Sequence, residues 1–131
     1  MSEPQYLVPD AGPVYAQWGR PISNVVVVAD FVFVCGQVGL DDRFTLVSAD
    51  FEPQLVKAFE NLEANLRAAG CELADVVKVT TYLHNTANRD IYNEIYSRYF
   101  SPPYPVRVTV GANLMDGMLV ELEVVAYRRS R

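Results

Sequence analysis

Few side chains in this sequence are equipped for chemistry, and one of them sits in an unusual place. In YPVRVTV, Tyr104 to Val110, the residues Val106, Val108 and Val110 alternate with Arg107 and Thr109. That is the period-two pattern of a strand with one apolar face, so Arg107 belongs in mid-strand. A guanidinium keeps its charge, and fixing it on a rigid strand costs side-chain entropy and desolvation. The position therefore calls for an anionic partner. A carboxylate suits it, because the planar fork grips one through two parallel bonds. The partner is either a bound ligand or a structural ion pair with Glu121 or Glu123 of the closing stretch MLVELEVVAY. A carboxylate, if partly buried, is also a reasonable general base.

The remaining reactive groups are Cys35, Cys71 and the single histidine, His84. With no CxxC and no second histidine, a thiolate zinc site within one chain is nearly excluded. No base adjoins Cys35 to form a thiolate, so a small packing residue at a strand end describes it better than a nucleophile. His84 follows a strand with no carboxylate beside it and receives no catalytic role. Two scattered cysteines point to a reducing, cytoplasmic setting.

Across 131 residues the formal net charge is −5. Nucleic-acid binding needs a basic footprint, and the one basic cluster, Tyr127 to Arg131, reads as a solvated tail. No apolar run is long enough to span a bilayer, nothing marks a membrane anchor, and the acidic, proline-bearing start does not read as a signal peptide. The length fits one domain over residues 1–131.

The elements that must position these groups follow from periodicity. VYAQWG reads as a short strand after an irregular segment ending at Gly12. Val25–Val28 and Phe31–Cys35 form a hairpin about Ala29-Asp30, and their continuous apolar runs predict cover on both faces. Asp50 caps a helix whose stripe is Leu55, Phe59, Leu62 and Leu66 and whose stop is Gly70. DVVKVTTYL alternates as a strand. A second helix is capped by Asn88, carries the stripe Ile91, Ile95 and Tyr99, and is terminated by Pro102 and Pro103. PVRVTV and MLVELEVVAY are the last strands, with Glu121 and Glu123 opposite Val120, Leu122 and Val124. The order β-β-β-α-β-α-β-β is α+β, two helices on one face of a mixed sheet. That leaves an apolar second face, carried by Val108 or Val120 and their neighbours, for which oligomerisation is the simplest cover.

The segments FVCGQVG, FEPQLVKAFENLEANLRAAG, DVVKVTTYL, NEIYSRYF, YPVRVTV and VELEVVA, in this order and spacing, resemble the reactive intermediate deaminase family (RidA, older name YjgF) from about Tyr15 to Tyr127. The resemblance implies a chorismate-mutase-like fold and a homotrimer with clefts between neighbouring subunits. It implies hydrolysis of enamine or imine intermediates such as 2-aminoacrylate to 2-keto acids and ammonia, with no metal and no organic cofactor. Within it, Arg107 falls on the carboxylate-binding arginine and Glu121 on the glutamate that positions or activates water. Cys35 stands where many members have serine, and its backbone with that of Gly36 lines the pocket. Thr109 takes the place of a pocket cysteine, on the same strand face as Arg107. Tyr15 resembles the N-terminal pocket tyrosine and Asn93 the helix asparagine, whereas Tyr92 and Tyr96 read as core or interface aromatics. The alternatives are a deaminase for a larger enamine acid of the aminomuconate type and a non-enzymatic trimer that binds small acids.

Overall fold

The computed structural model describes residues 3–129. Its strands are β1 (Gln5–Leu7), β2 (Val25–Val28), β3 (Phe31–Gln37), β4 (Val76–Leu83), β5 (Val106–Gly111) and β6 (Val120–Tyr127); its α-helices are α1 (Phe51–Ala68) and α2 (Arg89–Tyr99). The strands form one six-stranded sheet in the order β1-β2-β3-β6-β4-β5. All neighbours are antiparallel except β4 and β5, which run parallel with α2 as their crossover.

The element order matches the expected one, with a different first strand. VYAQWG is a 3-10 turn, Tyr15–Trp18, ended by Gly19 in a left-handed conformation. The segment expected to be irregular supplies β1, which pairs with β2. Three residues on a sheet edge are too short for periodicity to reveal, and hydrogen bonding to β2 outweighs the weak local preference.

The core lies between the helices and one sheet face. Leu55, Phe59, Leu62 and Leu66 of α1 are all 0% exposed, each contributing about 1.5–3 kcal/mol by leaving water. They pack with Val25, Val32, Val34, Val79, Leu122 and Val124. Asp50 occupies the N-cap position without a side-chain cap bond, and Gly70 follows the last turn at φ 73°. In α2 the buried stripe is Tyr92, Ile95 and Tyr96, while Ile91 and Tyr99 are only partly buried. The helix turns its tyrosines inward because they find partners there: the Tyr92 hydroxyl meets Thr81 Oγ1 of β4, and Tyr96 stacks on Phe100.

Register sorts the outer strands. Arg107 pairs with Val79 and Val79 with Val124, so Arg107 shares the helix-side face. Thr109 pairs with Thr81 and shares it too. Glu121 pairs with Tyr82 and Glu123 with Thr80, on the opposite face. That face carries Phe31, Phe33 and Val108, all large and exposed on the single chain, together with Val106 at 67% exposure. The expected cover on both sides of the hairpin is therefore absent within one chain. Val120 does not belong to the outer face; it is fully buried against the helices. Among the described residues no helix is long and apolar enough to cross a membrane.

Candidate functional site

Arg107 lies on β5, the last strand of the sheet, with its guanidinium carbon 4.7 Å from the Tyr96 ring centroid and 5.3 Å from that of Tyr92. Both rings come from the inward stripe of α2, so the rotation of that helix builds the platform. Cation–π attraction seats the charge, and no ion pair among the described residues engages it. The structural pairing with Glu121 or Glu123 is absent because those carboxylates project from the other face. Glu123 instead accepts a hydrogen bond from the Tyr82 hydroxyl at 2.8 Å. Asn93, exposed on α2, joins Arg107, Tyr96, Ser97, Tyr104 and Pro105 around an open cavity of about 320 Å³. Thr109 opens on a different cavity, beside Arg89 and Asp90. Its hydroxyl oxygen is buried with no hydrogen-bond partner.

Glu121 belongs to a third cavity, of about 450 Å³, shared with Tyr15, Cys35 and Gly36. The strand pairing of β3 with β6 shifts register between Val34 and Gln37. Such an irregularity re-aims the chain next to a site, and here it sets Cys35 and Gly36 against Glu121. A Cβ on Gly36 would collide with the Glu121 carboxylate, so only glycine lets the acid lie flat on the backbone. Burial pushes the Glu121 carboxyl above its usual range, and the neighbouring Glu123 adds to the rise. Burial pushes the Cys35 thiol up to about 11, with Glu121 acting in the same direction and the Gln37 hydrogen bond against it. The Tyr15 hydroxyl is pushed up to about 12 by burial, then by Cys35 and Glu121, with Arg20 opposing. At neutral pH the cavity thus holds a thiol and a phenol, and its one half-buried acid is poised nearer neutrality than a solvated one.

The structure therefore divides the expected residues. It brings Tyr15, Cys35, Gly36 and Glu121 together and sets Arg107 beside Asn93, but it keeps the two groups on opposite sheet faces. Within one chain, Arg107 and Glu121 do not converge.

A buried amide chain went unrecognised in the sequence. Asn24 Oδ1 accepts from the Tyr15 backbone N–H at 3.0 Å, and its Nδ2 donates to Pro13 and to Asn65 Oδ1. Asn65 Nδ2 donates to Gln37 Oε1, and Gln37 Nε2 donates to the Cys35 carbonyl and Sγ. This relay ties the Tyr15 turn to the Cys35–Gly36 irregularity through α1. Gln54, also on α1, holds the segment before β6: its Oε1 accepts from Leu119 N–H and its Nε2 donates to the Gly117 carbonyl. The available signal was the spacing of Gln54, Asn61 and Asn65, which puts three amides on the helix face that carries the leucines. Buried polar groups at such positions must be paired.

The comparisons with known proteins agree with this architecture. A family model described as Endoribonuclease L-PSP matches residues 18–128. A RutC family protein of Pyrococcus abyssi is 39% identical over 110 residues, 82% of this chain and 87% of that relative. A protein of Homo sapiens named 2-iminobutanoate/2-iminopropanoate deaminase is 35% identical over 110 residues, 82% of this chain and 80% of that protein. Among solved structures, RidA from the Antarctic bacterium Psychrobacter sp. superposes with a TM-score of 0.86 at 32% identity, covering 94% of this chain and 98% of that one.

Proposed function

The chain belongs to the RidA/YjgF family, and from that premise we propose that it is an imine deaminase, working without metal or organic cofactor, whose complete site forms between neighbouring copies of a homotrimer. The observation that carries the reading is the division of the site: an arginine seated on two tyrosines with no carboxylate partner among the described residues, and a half-buried glutamate in a cavity on the other sheet face. Because Arg107 lies on the edge strand β5, a second copy that covers the exposed Phe33 and Val108 face and sets its β5 edge beside the first copy's cavity would bring one copy's Arg107 to the other's Glu121. The apolar character of that face supports such a contact.

In the assembled site Arg107 grips the substrate carboxylate through its fork, and Asn93 borders the same opening. An enamine such as 2-aminoacrylate first tautomerises to its imine. Water then adds to the C=N carbon, and Glu121 accepts a proton from it as the C–O bond forms. The carbinolamine collapses, the C–N bond breaks, and the nitrogen leaves protonated. In balance, R–C(=NH)–COO⁻ and H₂O give R–C(=O)–COO⁻ and NH₃. Because free imines already hydrolyse, orientation and modest proton transfer suffice. The raised carboxyl of Glu121 suits this work, since a base is most effective when its pKa lies near the working pH.

The family model's name also raises RNA cleavage. The net charge of −5 and the confinement of the one basic cluster to Tyr127 to Arg131 count against an RNA substrate. A pyridoxal-phosphate enzyme that generates 2-aminoacrylate supplies the test. Pyruvate release should accelerate when this protein is added, and the protein should elute and scatter light as a trimer. Unchanged pyruvate release sinks the reaction, and a monodisperse monomer at micromolar concentration sinks the shared site.

A further inference from the structure

Beyond Tyr15, Cys35, Gly36 and Glu121, the cavity is walled by Ile22, Leu40, Phe44, Leu46, Leu114 and Met118. Its volume of about 450 Å³ lies in the range of small-molecule pockets and far exceeds what a methyl or ethyl group fills. Phe44 is the distinctive member. It is a bulky residue at φ 61°, in the left-handed region that ordinarily favours glycine. Backbone strain of this kind persists only where surrounding contacts maintain it.

Those contacts are present. The Phe44 ring stands edge-on to Tyr15, with centroids 5.1 Å apart, and tilts against Trp18 at 5.1 Å. The Arg20 guanidinium lies over it at 4.7 Å. The loop beneath is pinned, with Asp41 Oδ1 accepting from the N–H groups of Arg43 and Thr45 and the Asp41 carbonyl accepting from Phe44 N–H. The chain thus holds an aromatic wall rigidly over the cavity that contains Glu121.

We propose that Phe44 determines substrate choice, forming one wall of a pocket that selects 2-imino acids with bulky apolar side chains, such as those derived from leucine, methionine or phenylalanine, over the alanine-derived one. The inference rests on the imine-deaminase reading. With the carboxylate held by Arg107 of a neighbouring copy and the imine carbon beside Glu121, the third substituent of that carbon extends along the apolar wall. A second carboxylate there is disfavoured, because among the lining residues Arg20 is the one cation whereas Asp116 and Glu121 are two acids.

The test compares kcat/KM on imines made in situ by an amino-acid oxidase from alanine, leucine and phenylalanine. Each methylene buried is worth about fourfold, so the leucine- and phenylalanine-derived imines should be favoured at least tenfold. Phe44→Gly, which removes the ring and relaxes the backbone, should bring the ratio to within about threefold. Leu46→Ala should move it in the same direction. Calorimetric titration with pyruvate, 4-methyl-2-oxopentanoate and phenylpyruvate should give the same order of affinity. If no imine is turned over faster than in buffer while the keto acids keep this order and lose it in Phe44→Gly, the deaminase reading falls and the pocket stands. A preference for the alanine-derived imine, a ratio unmoved by both variants, or tighter binding of 2-oxoglutarate than of 4-methyl-2-oxopentanoate overturns the pocket.

Discussion

The arginine platform and the glutamate cavity prepare charge in opposite ways. Arg107 stands on an edge strand among exposed neighbours, and its cation is steadied by the faces of two tyrosines. Glu121 lies half-buried against Gly36, in a cavity tied to α1 through Asn24, Asn65 and Gln37. The first arrangement leaves a charge ready for a ligand without burying it. The second lets burial make a carboxylate more basic. Binding should therefore be sensitive to the first region and proton transfer to the second, so damage to each should separate KM from kcat.

The sharpest break is expected from Arg107→Ala. Losing a bidentate grip of two charge-assisted bonds, each worth about 1.5–3 kcal/mol, should lower kcat/KM by about 10²–10⁴-fold. The loss should appear as weakened keto-acid binding in a titration, with circular dichroism unchanged. Keto-acid affinity equal to the wild type would return Arg107 to a structural role.

Glu121→Gln should do the converse, cutting kcat by about 10²-fold while keto-acid binding persists. Its pH behaviour sharpens the contrast. Activity that needs the carboxylate should fall as pH drops through the raised pKa of Glu121, and the glutamine variant should lose that limb. For stability the sign is opposite. A carboxyl raised by burial binds its proton more tightly in the folded state, so it is a burden above the folded pKa that lifts on acidification. Thermal melts should therefore show Glu121→Gln more stable than wild type at neutral pH, with the gap closing as pH falls.

Gly36→Ala tests whether position alone matters. The added methyl must displace the Glu121 carboxylate, and misplacement of a reacting group by about 1 Å can cost 10²-fold. A loss of at least tenfold in kcat is expected, with Arg107-dependent binding intact. The smallest effect belongs to Cys35. A thiol pushed up to about 11 holds little thiolate at neutral pH, so Cys35→Ser should keep activity within about threefold, and iodoacetamide labelling should be slow. A loss of several orders of magnitude in Cys35→Ser would point to covalent catalysis instead.

How much of this the sequence disclosed depended on the range of the interactions. The alternation in β6 placed Glu121 and Glu123 opposite Leu122 because a strand's period is local. The α1 stripe and the stop at Gly70 were equally direct. Tyr15, Cys35, Gly36 and Glu121, named from a resemblance, do share a cavity. The segregation of Arg107 from Glu121 was not visible, since it arises from the register of β4 with both β5 and β6. The resemblance marked Tyr92 and Tyr96 as core or interface aromatics, and both are buried; the α2 stripe passed them over because apolar periodicity ranks tyrosine below isoleucine, whereas Thr81 meets the Tyr92 hydroxyl and Arg107 lies over both rings. Phe44 was unreadable for a similar reason: its unusual backbone angle is sustained by Tyr15, Trp18 and Arg20 from a separate turn of the chain.

The place of β5 at the end of the sheet has one more consequence. Its outer backbone groups lack a partner strand among the described residues, and Val106, Val108 and Val110 face outward beside them. Short β-branched segments of low charge on an open edge are templates for aggregation, and a charge within them acts as a gatekeeper. In the strand Val106–Gly111 the only charge is Arg107. On the proposed reading, the residue that would grip a carboxylate would also guard its own strand against edge pairing. Arg107→Lys should preserve that protection while Arg107→Ala loses it, a difference that turbidity during refolding would reveal.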